Sequence, residues 1–403
     1  MYKTNNSPNH PLSIVNLKLD TAERLPCLVE QETWLPLRLV TRWTVRYRRY
    51  HVQSSTLQRN LHSLKKLYEW AWSEANIDLD EFLLQGQMLN ARQLESLAAC
   101  LRVSQANPAE VVSANHYNDH LSVCENFLKW VLDAQNRGGS ANDTVEELAH
   151  KRERLAYLFR SLRTRHTPSR RIELLTLAEI QAIRAAISPQ KDAAGKWQFP
   201  ATGFSIQTAM RNWLMCETAL ELGLRRGELL KLRLDSLPRG AQDGIKVMRF
   251  PDDPHDSRTV EPGVKTSERV IPASRNLRSA LRVYITSPPP QGRVKGKSPY
   301  LFVTRSGEPV SLMLADKIIQ AIGRYSNVKP LSWHRLRHTW AESMAERLNQ
   351  QPNGMDNLLY LGGWTARNSV RPYIQSTVAR QAQEAMRAYQ DSLYAEAMEG
   401  GAS

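Results

Sequence analysis

The chain has 403 residues, with 54 lysines and arginines against 40 aspartates and glutamates, a formal charge of +14 at pH 7. That length allows two domains with separate cores, and the basic balance favours a polyanionic partner, nucleic acid ahead of a membrane surface. Cys27, Cys100, Cys124 and Cys216 form no CxxC or Cys/His cluster, which argues against a disulfide framework and a zinc site, and no apolar run approaches the roughly 20 residues that span a bilayer.

Residues 1–30 show little periodicity and are expected to be poorly structured. The polar start, Met-Tyr-Lys-Thr-Asn-Asn, leads into no secretory apolar core, so the expectation is a soluble, cytoplasmic protein with no membrane contact. A helical domain is expected over 31–162. Its first part interleaves Arg42, Arg46, Arg48 and Arg49 with Trp43, Tyr47 and Tyr50. A helix follows, capped by Ser54, Ser55 or Thr56, with Leu57, Leu61, Leu64 and Tyr68 on one face and Arg59, Lys65 and Lys66 elsewhere around it. A second helix carries Tyr117, Leu121, Cys124, Leu128 and Leu132 as its stripe. The stripes read as core; the basic and aromatic flanks read either as a phosphate grip or as a solvated face.

Residues 163–174 look like a basic interdomain linker, with Arg163, Arg165, Arg170 and Arg171 around Pro168, able to track a DNA backbone. Thr176-Leu-Ala-Glu179 makes a capping box that opens a new helix, placing a boundary near residue 172. A catalytic domain is expected over 175–390 and a tail over 391–403. Within it a helix from about Gln207 stops at Gly223 and another starts near Arg225. Strands are expected at Ile245–Phe250, Arg269–Pro272 and Tyr300–Thr304, with helices onward from Ser311. The sum is a mainly α fold with a small antiparallel sheet in the C-terminal domain.

The chemistry-bearing residues lie in this second half. Gly223-Leu-Arg225-Arg-Gly-Glu228-Leu places an arginine where one helix ends and the next begins, beside free backbone N–H groups that favour an anion, with Glu228 able to orient the guanidinium. In isolation such an arginine is more often a plain surface residue. His334 and Arg337, three apart, share a helix face; a guanidinium fork matches two phosphate oxygens, and an imidazole near pKa 6.5 can exchange protons beside it. His338 reads as a support or a core histidine. Lys265, before a hairpin-like Thr266–Pro272 stretch, can protonate a leaving oxygen, and Lys246 is its substitute. Trp364 offers an indole N–H or plain packing. Tyr373 is the candidate nucleophile, a phenol of pKa about 10 that needs activation.

In this order the set resembles the tyrosine recombinases, the phage-type integrase family of site-specific DNA recombinases. That family's pattern has an Arg in Gly-Leu-Arg-x-x-Glu-Leu, a Lys in a β-hairpin and a His-x-Leu-Arg-His-Thr stretch. It closes with a His or Trp after Leu-Gly or Gly-Gly and a Tyr nine residues on. Arg225, Lys265, His334, Arg337, Trp364 and Tyr373 fall on these positions, and the likeness covers about residues 175–390. The resemblance implies a two-domain clamp, with a helical core-binding domain and an α+β catalytic domain. It also implies that Tyr373 attacks a scissile phosphate to leave a 3′-phosphotyrosyl bond, with no cofactor and no metal. The implied partners are double-stranded DNA with specific recombination sites and three further copies in a tetramer on paired sites, the free chain being a monomer or weak dimer. DNA-bending accessory proteins, and integration or excision of a mobile element, belong to the same implication. Two other readings share the residues: a type IB-like topoisomerase, and a non-catalytic DNA-binding factor with the recombinase fold.

Overall fold

The computed structural model describes residues 11–104, 110–137, 144–166, 172–195, 197–200, 204–238, 244–288, 292–294, 296, 298–349 and 351–400. Arg170 and Arg171 lie outside the described residues. The chain divides into two compact units, residues 1–170 and 171–403, and is mainly helical with small antiparallel sheets.

The first unit opens on an antiparallel hairpin of β1 (Leu12–Lys18) and β2 (Arg24–Glu30), with Leu12 opposite Glu30 and Lys18 opposite Arg24. This corrects the expectation of a poorly structured segment for residues 12–30, while residues 1–10 lie outside the described residues. The burial of β2 does not alternate: it pairs along one edge with β1 and packs against α2 (Ser54–Ser73), and six of its seven residues are buried. Between them runs α1 (Arg38–Arg46), and after α2 come α3 (Leu79–Leu84), α4 (Ala91–Arg102), α5 (Ala114–Arg137) and α6 (Val145–Leu162). Starts are set by local chemistry: Asn90 with Gln93, and Thr144 with Glu147, close capping boxes. Leu57, Leu61, Leu64 and Tyr68 of α2 meet Tyr117, Leu121, Cys124 and Leu128 of α5 in one core, to which Leu12, Leu28 and Trp43 also belong.

The second unit begins with α7 (Leu177–Ile187), capped by the Thr176–Glu179 box. A short hairpin of β3 (Gln190–Lys191) and β4 (Trp197–Gln198) leads to α8 (Ile206–Leu222) and α9 (Arg226–Lys231). β5 (Gly244–Val247) and β6 (Arg269–Pro272) pair antiparallel, with Ile245 opposite Ile271 and Lys246 opposite Val270. The strand expected to reach Phe250 stops at Val247, and Tyr300–Thr304 contributes only the isolated bridges Arg233–Tyr300 and Val303–Pro309. Next are α10 (Arg275–Thr286), α11 (Leu312–Tyr325), α12 (Trp333–Leu348), α13 (Gly354–Gly362) and α14 (Arg371–Gly400). Residues 391–400 continue α14 rather than forming a separate tail. Pro372 stands second in that helix, where the missing N–H costs no intrahelical bond.

The main core of this unit gathers Leu214, Ala219 and Leu222 of α8, Leu229 of α9, Ile245 and Ile271 of the hairpin, and Leu336 of α12. A smaller cluster of Trp340, Ala341, Leu358, Val370 and Tyr373 joins α12, α13 and the start of α14. Cys27 and Cys124 are buried in the first unit and Cys216 in the second, all as free thiols. Among the described residues, no helix is long and apolar enough to cross a membrane.

Candidate active site

Helix ends and one loop bring the site together. α8 stops because Gly223 adopts the left-handed conformation (φ +61°), and Arg225 follows two residues later as the residue capping α9. The turn is closed by the Arg225 backbone N–H, which donates to Glu228 Oε2 at 2.7 Å. A Cβ at Gly223 would fall inside the Trp340 ring, so that position demands glycine twice over.

Arg337 is buried on α12 and donates from Nη1 to the Gly223 carbonyl and from Nη2 to the Gly362 carbonyl, each at 2.7 Å. Arg225 Nη1 donates to the same Gly362 oxygen at 3.4 Å. Two guanidiniums therefore converge on one acceptor, and both lie over the Trp364 ring, Arg337 at 4.5 Å and Arg225 at 5.8 Å from its centroid. Arg335, two residues before Arg337, does something else: it bonds Glu179 at 2.8 Å and the carbonyls of Glu173, Leu174 and Pro330, fastening α12 to the start of α7.

Beneath the pair sits Glu228, wholly buried. Arg269 donates to both its oxygens at 2.9 and 3.2 Å, Arg337 Nη1 lies 3.7 Å away, and the Thr266 hydroxyl donates to Oε1. Burial alone would raise this carboxyl, but the bonds from Arg269 and Thr266 and the nearby charges of Arg269 and Arg337 outweigh it and hold the pKa below the ordinary glutamate value. Arg269 also donates from Nε to the Leu361 carbonyl at 2.8 Å, tying β6 to the end of α13. Arg269 and Thr266 were not among the residues singled out from sequence. The available signal was an arginine opening a strand just after the candidate lysine, but its partner is 41 positions earlier.

Tyr373, only 8% exposed, faces this group from the first turn of α14, its ring 5.6 Å from Trp364 and 5.2 Å from His338. Its hydroxyl lies 3.5 Å from His338 Nε2, which is itself 2.8 Å from His334 Nε2. One of those two ring nitrogens carries the hydrogen and the other accepts it. The residue meeting the phenol is thus His338, read from sequence only as a support. Burial raises the phenol above its ordinary pKa while Arg337 and Arg225 pull it down. Burial, His334 and Arg337 depress His338 to about 4, and burial with Arg337 and Arg225 lowers His334, so both rings are neutral at pH 7. Burial and Arg225 lower Arg337 to about 9, still cationic at neutral pH.

Lys265 is exposed on the loop entering β6, one residue before Thr266 and so at the edge of the Glu228 cluster. Lys246 is exposed on β5, opposite Val270. The first-unit cations are differently disposed. Lys66 is buried and donates to the Val103 carbonyl at 3.2 Å, so it is no exposed flank. Lys65 pairs with Glu69, Arg49 with Glu23 and Arg163 with Glu125, while Arg48 donates to Asn60. Arg46, Arg59 and Arg165 are exposed and Arg42 is half-buried.

Three comparisons bear on this arrangement. In fold, the chain is similar to the XerH site-specific recombinase in a post-cleavage complex with a palindromic difH substrate, at 14% identity and TM-score 0.54 over 83% of this chain and 80% of that one. It is similar also to the Tn1549 transposon integrase in complex with transposon right-end DNA, at 15% identity and TM-score 0.52 over 87% of this chain and all of that one. In sequence, it is 26% identical over 215 residues to tyrosine recombinase XerD of Listeria innocua, a match covering 53% of this chain and 66% of the relative's length. Residues 199–380, which hold all six residues of the motif set, match the profile of the phage integrase family. The fold is that of the two-domain tyrosine recombinases. Residues 199–380 are thus similar to the phage integrase family, and the chain spans 66% of the length of the recombinase relative it matches.

Proposed function

We propose that this chain is a site-specific recombinase that cleaves and rejoins DNA through a 3′-phosphotyrosyl bond on Tyr373. The observation that carries the reading is the convergence of Arg225 and Arg337 on the single Gly362 oxygen, over Trp364 and beside a buried phenol. Two cations focused on one oxygen form a cradle for the non-bridging oxygens of a phosphodiester, oriented before substrate arrives.

The steps follow from the atoms present. Tyr373 Oη attacks phosphorus, and its proton passes to the unprotonated Nε2 of His338, whose bond to His334 Nε2 gives way as it accepts. Arg225 and Arg337 stabilise the charge that grows on the phosphoryl oxygens, and Trp364 buttresses both guanidiniums. As the bond from phosphorus to the 5′ oxygen breaks, its electron pair stays on that oxygen, which takes a proton from Lys265. Reversal with a second strand rejoins the DNA, and the phosphotyrosyl bond conserves the phosphodiester energy. The partner is double-stranded DNA bearing recombination sites, in keeping with the XerH and Tn1549 proteins, each captured with its DNA. Arg42, Arg46, Arg59 and Arg165 contribute backbone contacts. Strand exchange takes four protomers on paired sites, and the reaction integrates or excises a mobile element.

The test is covalent trapping on nicked duplexes, read on a denaturing gel, with wild type against Tyr373→Phe. A DNA-linked band in wild type alone is expected, and only with particular duplex sequences. A band independent of sequence favours the topoisomerase reading. Equal DNA binding by both proteins with no band in either removes the enzyme.

A further inference from the structure

Behind α9 lies a second buried ionic cluster that the chemistry above does not use. Lys231, the last residue of α9, is 3% exposed; its ammonium bonds Glu261 and the Phe250 carbonyl (3.0 Å) and lies 3.4 Å from Asp256. Asp256 takes a two-pronged bond from Arg258 at 2.7 and 2.8 Å, and Asp253 accepts from Tyr300 Oη at 2.7 Å with Arg233 3.5 Å away. Lys231, Arg233 and Arg258 thus balance Asp253, Asp256 and Glu261, three charges of each sign, which is the condition for holding ions out of water.

Four of these six residues, 253 to 261, belong to the segment between β5 and β6, residues 248–268, which contains no helix or strand. A connection of that length is entropically free unless pinned. It is pinned along the whole of α9. Glu261 is held at the C-terminal residue Lys231, Gly263 lies so close to Gly227 that a Cβ there would overlap its carbonyl, and Thr266 and Arg269 are held by Glu228. Arg225 caps the other end of the same six-residue helix. Lys265 sits between the last two fastenings, its side chain exposed.

We propose that Lys231, with Asp256 and Glu261, is a positioning residue for Lys265: the buried cluster fixes the strap along α9 and so sets the lysine's register against Arg225. The inference rests on the reading of Lys265 as the donor to the leaving 5′ oxygen. A general acid must come within hydrogen-bond reach of one atom, and a displacement of about 1 Å can cost on the order of 100-fold. The cluster touches no substrate; it acts through the strap alone.

A sulfur leaving group separates positioning of the acid from general damage. Thiols ionise near pKa 8.5, far below alcohols, so a duplex with sulfur in place of the bridging 5′ oxygen needs no proton donor. A nicked duplex selected from a randomised pool by covalent capture on wild type, made with oxygen or sulfur at the scissile position, is cleaved in single turnover by wild type, Lys265→Ala, Lys231→Met, Lys231→Arg and Glu261→Gln. With oxygen, Lys265→Ala falls roughly 10²–10⁴-fold and Lys231→Met and Glu261→Gln by about 10–100-fold, with Lys231→Arg nearer wild type. With sulfur, all return to near the wild-type rate. Glu261→Gln, which keeps hydrogen-bonding capacity, carries the test if Lys231→Met does not fold. Equal losses on oxygen and sulfur, or no loss in either cluster variant, overturn the inference while leaving the recombinase reading intact. A Lys265→Ala protein at wild-type rate on both duplexes also overturns it. Capture of no duplex by wild type removes the recombinase reading and this inference together.

Discussion

Glu228 carries one negative charge into the midst of three guanidiniums, and its loss should be felt in both folding and chemistry. Glu228→Gln leaves Arg269 buried without its counter-ion, a change expected to cost about 3–5 kcal/mol in urea denaturation. Covalent trapping should fall as well, because Thr266 and Arg337 lose the same anchor. His338 makes a pH prediction with a definite sign. Its folded pKa of about 4 lies below the ordinary 6.5, so the unfolded chain binds the extra proton first. Its stabilising contribution is complete above pH 6.5 and is lost as pH falls from there to about 4. In urea titrations across that window, His338→Gln should lose less stability than wild type; an identical slope would refute the assignment. At this scale the sequence was informative where chemistry sits in short motifs. The Gly-Leu-Arg-x-x-Glu stretch, the His-x-x-Arg pair and Tyr373 all lie within one neighbourhood. It was silent on the Gly223 and Gly362 carbonyls, since a backbone oxygen has no letter of its own. It ranked His334 above His338 because the motif spacing, not the direction of α14, decided the order.

Among the elements, the break between α8 and α9 governs the site most directly. Gly223 ends one helix in the left-handed conformation, lends its carbonyl to Arg337 and leaves room for Trp340. Gly223→Ala adds a backbone penalty of about 1–2 kcal/mol to an overpacking cost of about 1–3 kcal/mol. A drop of that combined size in urea denaturation, with reduced trapping, is the expected result, and a neutral substitution would contradict the packing described. Helix starts were legible wherever a cap spelled them, as at Thr176 and Glu179. The β1–β2 hairpin was not, because a strand with six of its seven residues buried has no alternation to read. The strand expected at Ile245–Phe250 ends at Val247; beyond it the Arg249 N–H donates to Glu268 and the Phe250 carbonyl accepts from Lys231, not from a ladder partner.

For the whole molecule, two separate hydrophobic cores mean two folding problems. Residues 172–403 expressed alone should unfold in urea as a cooperative transition, since α7 to α14 enclose their own core; a gradual, non-cooperative loss of structure would show that they depend on the first unit. The division into units was visible in composition: a basic, proline-interrupted stretch followed by a capping box marks where one core stops drawing on the chain. The ionic strap behind α9 was not visible, because its partners are dispersed from Lys231 to Tyr300 and only the fold brings them together.

The oxygen shared by Arg225 and Arg337 has an energetic meaning as well as a geometric one. Like charges drawn together in a partly buried place repel, and an unoccupied site would ordinarily relax by swinging one of them away. Here the Gly362 carbonyl accepts from both guanidiniums and offsets part of that repulsion, holding the two side chains side by side. On the proposed chemistry, an arriving phosphate exchanges one acceptor for a stronger one. Reorganisation on binding is then confined to a few bonds, and most of the interaction energy is left to act on the transition state.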